Sequence, residues 1–297
     1  MSAHGQAIGP PATSRRLKDL AFRLVMLSCL GLALLLLAVL IADVAVDGIG
    51  HISIDFLTSD PSSQADQAGI QPALLGTVYL MAVCLLFIVP VGVATAVYLE
   101  EYADGSRWWN RLIEINIQNL AAVPSTVYGI LGLAFLVRGA ISLGQVVLAG
   151  GLTLGLLVLP VVIIAGREAI RAVPPSIREG SMALGATQWQ TIWRQVLPAS
   201  VPGIATGVIL ALARAIGETA PLIVVGAATF ITFSPTGLDS AFSAMPIQVF
   251  DWVSGRPSSP SNDFRPLAAA AILVLLALLM TMNAGAIWLR NRYEKKW

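Results

Sequence analysis

The sequence predicts an all-α integral membrane protein with six transmembrane helices, and two observations lead to that prediction. The chain has 297 residues, of which 56% are hydrophobic and only 12% charged, and its mean hydropathy is +0.78. A soluble domain carries about a quarter charged residues. The sequence also contains six apolar stretches, each close to the roughly 20 residues that a helix needs to cross a bilayer.

The six apolar stretches are too long and too continuous to be strands, and a helix satisfies its own backbone within lipid. They occupy residues 20–42, 71–98, 119–137, 141–166, 201–225 and 267–289. The first follows three basic residues but is long for a signal-peptide core, and no convincing cleavage site comes after it. We therefore predict that it is a retained first span.

The spans define a simple domain plan. An N-terminal segment (1–19) precedes a membrane domain (20–290) and a short tail (291–297). The first 14 residues and the stretch 254–263 are polar and rich in Pro, Gly or Ser, which is typical of loops.

The distribution of basic residues predicts the orientation. Most of the 18 Lys and Arg residues lie in the N-terminal segment, in the loops after the second and fourth spans, and in the tail. The loop 43–70 has several aspartates and neither Lys nor Arg. Because loops rich in Lys and Arg stay in the cytoplasm, both termini are predicted to be cytoplasmic.

Several kinds of chemistry have no support in the sequence. There is no glycine-rich phosphate loop with its lysine, no nucleophile elbow, and no cluster of metal ligands. Cys29 and Cys84 both lie in apolar runs and are interpreted as small buried hydrophobes. We expect no catalytic residue, no metal site, no cofactor and no nucleic-acid partner for this chain. Energy for any transport must come from another subunit or from an ion gradient.

Two full charges interrupt the fifth span, which contains the stretch LARAIGETAPL. A helix entering the bilayer near Pro202 places Arg214 about 18 Å deeper, near the middle of a roughly 30 Å core. A charge there costs about 2.5–3.5 kcal/mol on insertion scales. Arg214 and Glu218 are four residues apart, so they share a helix face and can pair.

A proline next to this pair predicts a broken helix. Pro221 lacks a backbone donor and crowds the carbonyl of Gly217, so the helix should kink or break beside Glu218. Broken helices beside charges are a recurring way to build solute sites. One interpretation is a purely structural ion pair. The other is a polar path in which Arg214 meets an anion, because a guanidinium suits oxyanions, with Thr219 as a weaker candidate.

The loop 174–198 after the fourth span carries two helix-start signatures. Ser176 with Glu179 fits a capping box, and so does Thr187 with Gln190. The loop is therefore predicted to contain two short helices.

A sharp turn should join these two helices. Gly185 stands where a left-handed C-cap residue belongs, and Pro198 disfavours simple continuation of the second helix. The loop has more apolar side chains than it can bury alone. It either packs on its own membrane domain or docks a cytoplasmic partner.

The loop resembles the coupling loop, or E-A-A motif, of ABC importer permeases. The acid, the glycine and the later L-P of that motif are present, while its two alanines are replaced by glycine and serine. The matching positions are Glu179, Gly185, Leu197 and Pro198. The resemblance implies a type I ABC importer permease fold in which this loop inserts into a groove on an ATP-hydrolysing subunit.

Other stretches narrow the resemblance to phosphate-specific importer permeases, and the A-P-L ending is similar to the PstA-type subunit. They are ARAIGETAPL (213–222), NLAAVPSTVYGILGL (119–133), FLTSDP (56–61) and YLEEYA (98–103). The resemblance implies a heterodimer with a related permease, two ATPase subunits that bind ATP and Mg, and an external phosphate-binding protein. It also implies the inner membrane of a prokaryote and functional roles for Arg214 and Glu218.

Alternatives remain at this stage. Sulfate, molybdate and phosphonate are also oxygen-rich anions, and arginine chemistry does not separate them from phosphate. An ion-coupled secondary transporter would use intramembrane acids and needs no protruding coupling loop. A membrane-embedded enzyme would need a nucleophile, a base or metal ligands on one face.

Overall fold

The computed structural model describes residues 13–139, 141–228, 230–255 and 262–293, and every regular element within them is helical. The α-helices are α1 Thr13–Gly48, α2 Ile54–Thr58, α3 Gln71–Val97, α4 Trp108–Ala121, α5 Ser125–Leu131, α6 Val147–Arg171, α7 Pro175–Ala183, α8 Gln188–Thr191, α9 Leu197–Ala215, α10 Ala220–Val225, α11 Met245–Phe250 and α12 Arg265–Tyr293. π-helical turns extend α3, α5, α8 and α11, at Tyr98–Tyr102, Gly132–Val137, Ile192–Val196 and Asp251–Gly255.

Three parts of the predicted domain plan fall wholly or partly outside the described residues. These are most of the N-terminal polar stretch, most of the loop 254–263, and the end of the tail, at residues 1–12, 256–261 and 294–297.

Within the described residues, five helices are long and apolar enough to cross a membrane, and a bent pair makes a sixth if it counts as one span. The structure has the predicted six spans when the bent pair counts as one of them. The bounds differ most for the third, fourth and fifth spans.

The third span is not the single continuous helix that 119–137 predicted. α4 and the helix that begins with α5 meet at an angle of 109°. Pro124 lies at the break, since it lacks a backbone donor and restricts the residue before it. The Tyr128 hydroxyl donates to the Leu120 carbonyl at 2.8 Å and satisfies an acceptor that the end of α4 leaves without a helical partner.

The fourth span begins later than predicted. Ser142 (φ 50°) and Gly144 (φ 81°) have left-handed backbone conformations, so the helix predicted from residue 141 starts only at Val147. The amide of Val147 donates to the Ser240 carbonyl at 3.0 Å. A backbone carbonyl from a loop more than ninety residues further along the chain therefore accepts the hydrogen bond of the first amide of α6, which has no acceptor within its own helix.

The fifth span differs at both ends. Pro198 is predicted to disfavour simple continuation of the second loop helix, yet helix runs on from Gln188 to Ala215. The continuation is not regular, because a π turn at Ile192–Val196 comes just before α9, whose second residue is Pro198. The predicted break beside Glu218 is confirmed, since α9 ends at Ala215 and α10 begins at Ala220.

Glycines let the central helices pack closely. A Cβ atom at Gly155 of α6 would lie 2.6 Å from the Phe87 ring of α3, and one at Gly203 of α9 would lie 2.6 Å from the Ala169 side chain of α6. Small residues at such interfaces allow backbones to approach in membranes, where van der Waals packing holds helices together. α3, α6 and α9 therefore form a closely packed core.

α1 stands apart from this core. Nearly all its described side chains are exposed, and the helix contacts α12 near Gly48. The prediction that Cys29 is buried is wrong for the isolated chain, whereas Cys84 on α3 is buried as predicted. An apolar helix that finds few partners in its own chain faces lipid or another subunit.

Candidate transport path and coupling loop

Arg214 and Glu218 lie together at the break between α9 and α10. Arg214 Nε is 3.5 Å from Glu218 Oε1, and the side chains are 44% and 19% exposed. This confirms that the two can pair. The contact is long and uses one guanidinium nitrogen, so it occupies only one of the five donor N–H groups of Arg214.

Short turns build the break itself. The amides of Gly217 and Glu218 donate three residues back, to Arg214 at 3.3 Å and to Ala215 at 3.2 Å. Pro221 lies in the first turn of α10, where a missing amide costs nothing. Thr219 is the residue just before α10 and is half-buried. The backbone therefore changes direction beside the charged pair, and all three predicted path residues lie together.

A separate cavity of about 640 Å³ lies between α3, α9 and α12. Its walls are mostly apolar, with Thr281, Asn283 and Arg290 among the lining residues, and Arg214 and Glu218 do not line it. The charged pair at the helix break therefore lies outside this cavity.

The coupling loop contains two helical segments, but only the first is a short helix as predicted, because α8 is the start of the continuous helix that reaches Ala215. The Thr187 hydroxyl accepts from the Gln190 amide at 3.3 Å, and the Gln190 side chain accepts from the Thr187 amide at 3.0 Å. This reciprocal capping box starts α8.

The turn between the helices is left-handed, as predicted. Gly185 has φ +88°, its amide donates to the Met182 carbonyl at 2.9 Å, and the Ala186 amide donates to Ser181 at 3.3 Å. These two bonds form a Schellman motif. The Ser181 and Thr191 hydroxyls are 2.9 Å apart and connect α7 to α8.

The first predicted capping box is wrong. α7 begins at Pro175, so Ser176 already lies inside the helix and cannot be the residue that caps its start. No side chain caps the start of α7. Proline suits the first helical position because its fixed φ is already helical and its missing amide has no helical acceptor. Glu179 is therefore free of a capping role and is exposed on α7.

The predicted coupling residues separate into two places. Glu179 and Gly185 lie on the protruding pair of helices, whereas Leu197 and Pro198 are half-buried at the start of α9. The surface between α7 and α8 is strongly apolar. Its exposed residues are Met182 (47%), Leu184 (90%), Trp189 (58%) and Trp193 (58%), and the two tryptophan rings stack 5.6 Å apart. A bare patch of this kind indicates a protein-binding surface.

A network of ion pairs at the same end of the bundle was not predicted. Glu100, in the π turn after α3, binds Arg171 through two oxygens at 2.9 and 3.0 Å and lies 3.5 Å from Arg167. Arg167 also donates to Glu114 of α4 at 2.8 Å. These pairs join α3, α4 and α6. The stretch YLEEYA marked the acids in the sequence, but it held no information about their partners.

The connection from α3 to α4 carries a further charge. The Asp104 carboxylate accepts from the Ser106 amide at 2.9 Å, and hydrogen bonds from Ser106 hold the pKa of this carboxyl below its usual value. The hydrogen bonds from Ser106 therefore stabilise the ionised form of this carboxyl in the turn before α4.

Together, these features define a class of protein: a multi-pass helical membrane protein with a charged break in one span and a protruding loop that carries an exposed apolar patch. The chain belongs to the family described as "Binding-protein-dependent transport system inner membrane component", which matches residues 88–295. It is therefore a multi-pass permease subunit of an ABC importer, a family that works with ATPase and binding-protein partners. The chain is not an enzyme, because separate subunits hydrolyse ATP.

Relatives support this assignment along most of the chain. The chain is 34% identical to the phosphate transport system permease protein PstA 1 of Mycobacterium tuberculosis, over 75% of this chain and 70% of that protein. It is 29% identical to the probable ABC transporter permease protein YqgI of Bacillus subtilis, over 90% and 93%.

A solved structure shares the fold. A bacterial alginate ABC transporter in complex with an alginate-bound periplasmic protein superimposes with a TM-score of 0.69 at 18% identity. The match covers 95% of this chain and 98% of that one. The type I ABC importer permease fold implied by the sequence is confirmed.

Proposed function

We propose that this chain moves inorganic phosphate into the cell, as one half of a permease heterodimer in the inner membrane of a prokaryote. Both termini and the coupling loop face the cytoplasm in this proposal. The partners are a related permease, two ATP-binding subunits that hold ATP and Mg, and an external phosphate-binding protein. The observation that supports phosphate most directly is the 34% identity to a protein named as a phosphate permease.

Arg214 is the proposed contact for the anion. Its side chain is 44% exposed at a helix break, although it lies in a membrane span, and Glu218 holds it by one long contact. A guanidinium can give two parallel hydrogen bonds to an oxyanion. Glu218 then takes the guanidinium back when the anion leaves, which prevents a lone charge in a low-dielectric path. Thr219 adds a hydroxyl beside them.

The loop 174–198 is the proposed contact for the ATPase subunit. Glu179 and the apolar patch offer an exposed surface, while Gly185 shapes the turn that presents it. Leu197 and Pro198 join this loop to α9, which also carries Arg214. One continuous helix from Gln188 to Ala215 thus connects the docking surface to the proposed anion contact.

The test is uptake of labelled phosphate at low external phosphate by cells that lack the gene, with and without the restored gene. Excess sulfate, molybdate or phosphonate is added as a competitor. Uptake that returns with the gene and resists the competitors supports phosphate. Competition by one of them assigns the permease to that anion instead.

The role of Arg214 needs its own variants in that assay. Arg214→Ala should abolish uptake while the purified complex keeps all its subunits. Arg214→Lys keeps the charge but loses the planar fork, so it should retain only part of the uptake. If Arg214→Ala prevents assembly, Arg214 is a structural residue and the proposed path is wrong.

A further inference from the structure

Both helices of the coupling loop form hydrogen bonds with one residue of the membrane domain, Glu101. This acid lies in the π turn that ends α3. Arg178 of α7 donates to its carboxylate through Nη2 at 2.6 Å and through Nε at 3.0 Å. Gln188, the first residue of α8, donates to its backbone carbonyl at 2.7 Å. Both helices of the loop therefore contact the same residue.

Arg178 also reaches a third element. Its Nη1 donates to the Val173 carbonyl at 2.7 Å and its Nη2 to the Ile170 carbonyl at 2.9 Å, at the end of α6. The guanidinium is planar and rigid, so its four contacts set the positions of α3, α6 and α7 relative to one another.

The Glu101–Arg178 pair is shielded from solvent. The side chains are 9% and 20% exposed, whereas Arg171 in the neighbouring network is 53% exposed. Shielded ion pairs are screened little by salt, and removal of one partner leaves a buried charge without compensation. The pair is therefore a strong joint, unlike an ordinary surface salt bridge.

The two faces of the loop have different surroundings. The apolar face with Trp189 and Trp193 has no cover, while on the other side Arg178 and Gln188 both contact Glu101, and α7 also packs on buried residues of α3 and α6. We infer that the Glu101–Arg178 pair is the joint through which movement of the coupling loop passes into α3 and α6. Both are positioning residues that touch neither ATP nor the transported anion.

This inference rests on the proposed coupling role of the loop. The test uses the complete complex, with both permeases, the ATPase subunits and the binding protein, in proteoliposomes. The measured quantity is the number of anions moved per ATP hydrolysed. Arg178→Gln and Glu101→Gln should each lower this ratio about tenfold, a typical coupling effect between linked sites. The ATPase subunits should stay bound in both variants.

Two comparisons separate a joint from general damage. The double variant should lose no more than either single variant, because residues that act through one interaction are not additive. Arg171→Gln is the matched control, since it removes an arginine from the same end of the bundle that contacts neither α7 nor α8. Its ratio should stay within about twofold of the original protein.

Three results would overturn the inference: loss of the ATPase subunits from Arg178→Gln, an additive double variant, or an equal loss in Arg171→Gln. The proposed function fails in a different way. If the unaltered complex moves another oxyanion, the phosphate proposal is wrong, and the ratio is then measured with that anion.

Discussion

Gly185 allows a sharp test of the coupling loop, because its backbone and its surroundings predict separate effects. Its φ of +88° lies in the left-handed region, and a Cβ atom there would meet nothing within 4 Å. Substitution by alanine therefore changes only the backbone preference. An L-residue in this region costs about 1–2 kcal/mol. A β-branched residue such as valine costs more.

This conformational cost destabilises the Schellman motif that Gly185 forms. A cost of about 1–2 kcal/mol changes an equilibrium roughly 5- to 30-fold, so the turn should populate distorted forms. The amides of Gly185 and Ala186 would lose their bonds to Met182 and Ser181. Gly185→Ala should speed hydrogen exchange at these amides and lower the number of anions moved per ATP. Gly185→Val should uncouple ATP hydrolysis from transport.

Gly180 is the matched control. A Cβ atom there also meets nothing within 4 Å, but the residue lies inside α7 with an ordinary helical backbone. Gly180→Ala should therefore slow exchange, since alanine favours a helix over glycine by about 1 kcal/mol. Gly185→Asn should keep most of the coupling, because asparagine tolerates the left-handed region. Unchanged exchange and coupling in Gly185→Ala would refute the two-helix explanation.

Three further predictions concern the cap, the core and the docking surface. Thr187→Ala removes the capping box and should destabilise α8 by about 1 kcal/mol; hydrogen exchange there should be faster, and unchanged exchange would contradict the cap. Gly155→Val forces a side chain against Phe87 and should lower the free energy of unfolding by about 1–3 kcal/mol, which is measured as a lower melting temperature in detergent. Gly31→Val on exposed α1 should leave the melting temperature unchanged. Trp189→Ser should weaken binding of the ATPase subunit by about 2 kcal/mol or more, as for a buried interface tryptophan; a titration that finds equal affinity would contradict docking at this patch.

Patterns of a few adjacent residues predicted much of the structure of the coupling loop and of the break beside Glu218. The Thr187–Gln190 box and the left-handed Gly185 each depend on a few adjacent residues, and the structure confirms both. The failed box at Ser176 shows the limit of such signals, because Pro175 offered the same helix another start. The transport roles of Arg214, Glu218 and Thr219, and the coupling roles of Glu179, Gly185, Leu197 and Pro198, remain predictions.

The sequence by itself determined the helical membrane class, because a long apolar segment within lipid must satisfy its own backbone hydrogen bonds, and a helix does so. It also determined the break beside Glu218, since proline acts on its own backbone. Only the tertiary structure decided the 109° angle between α4 and the helix after Pro124, and the continuation of helix through Pro198. It alone joined Arg178 to Glu101 across 77 positions. Two adjacent acids and several arginines leave many pairings open, and only the packing of α3 against α6 brings one set within hydrogen-bond distance.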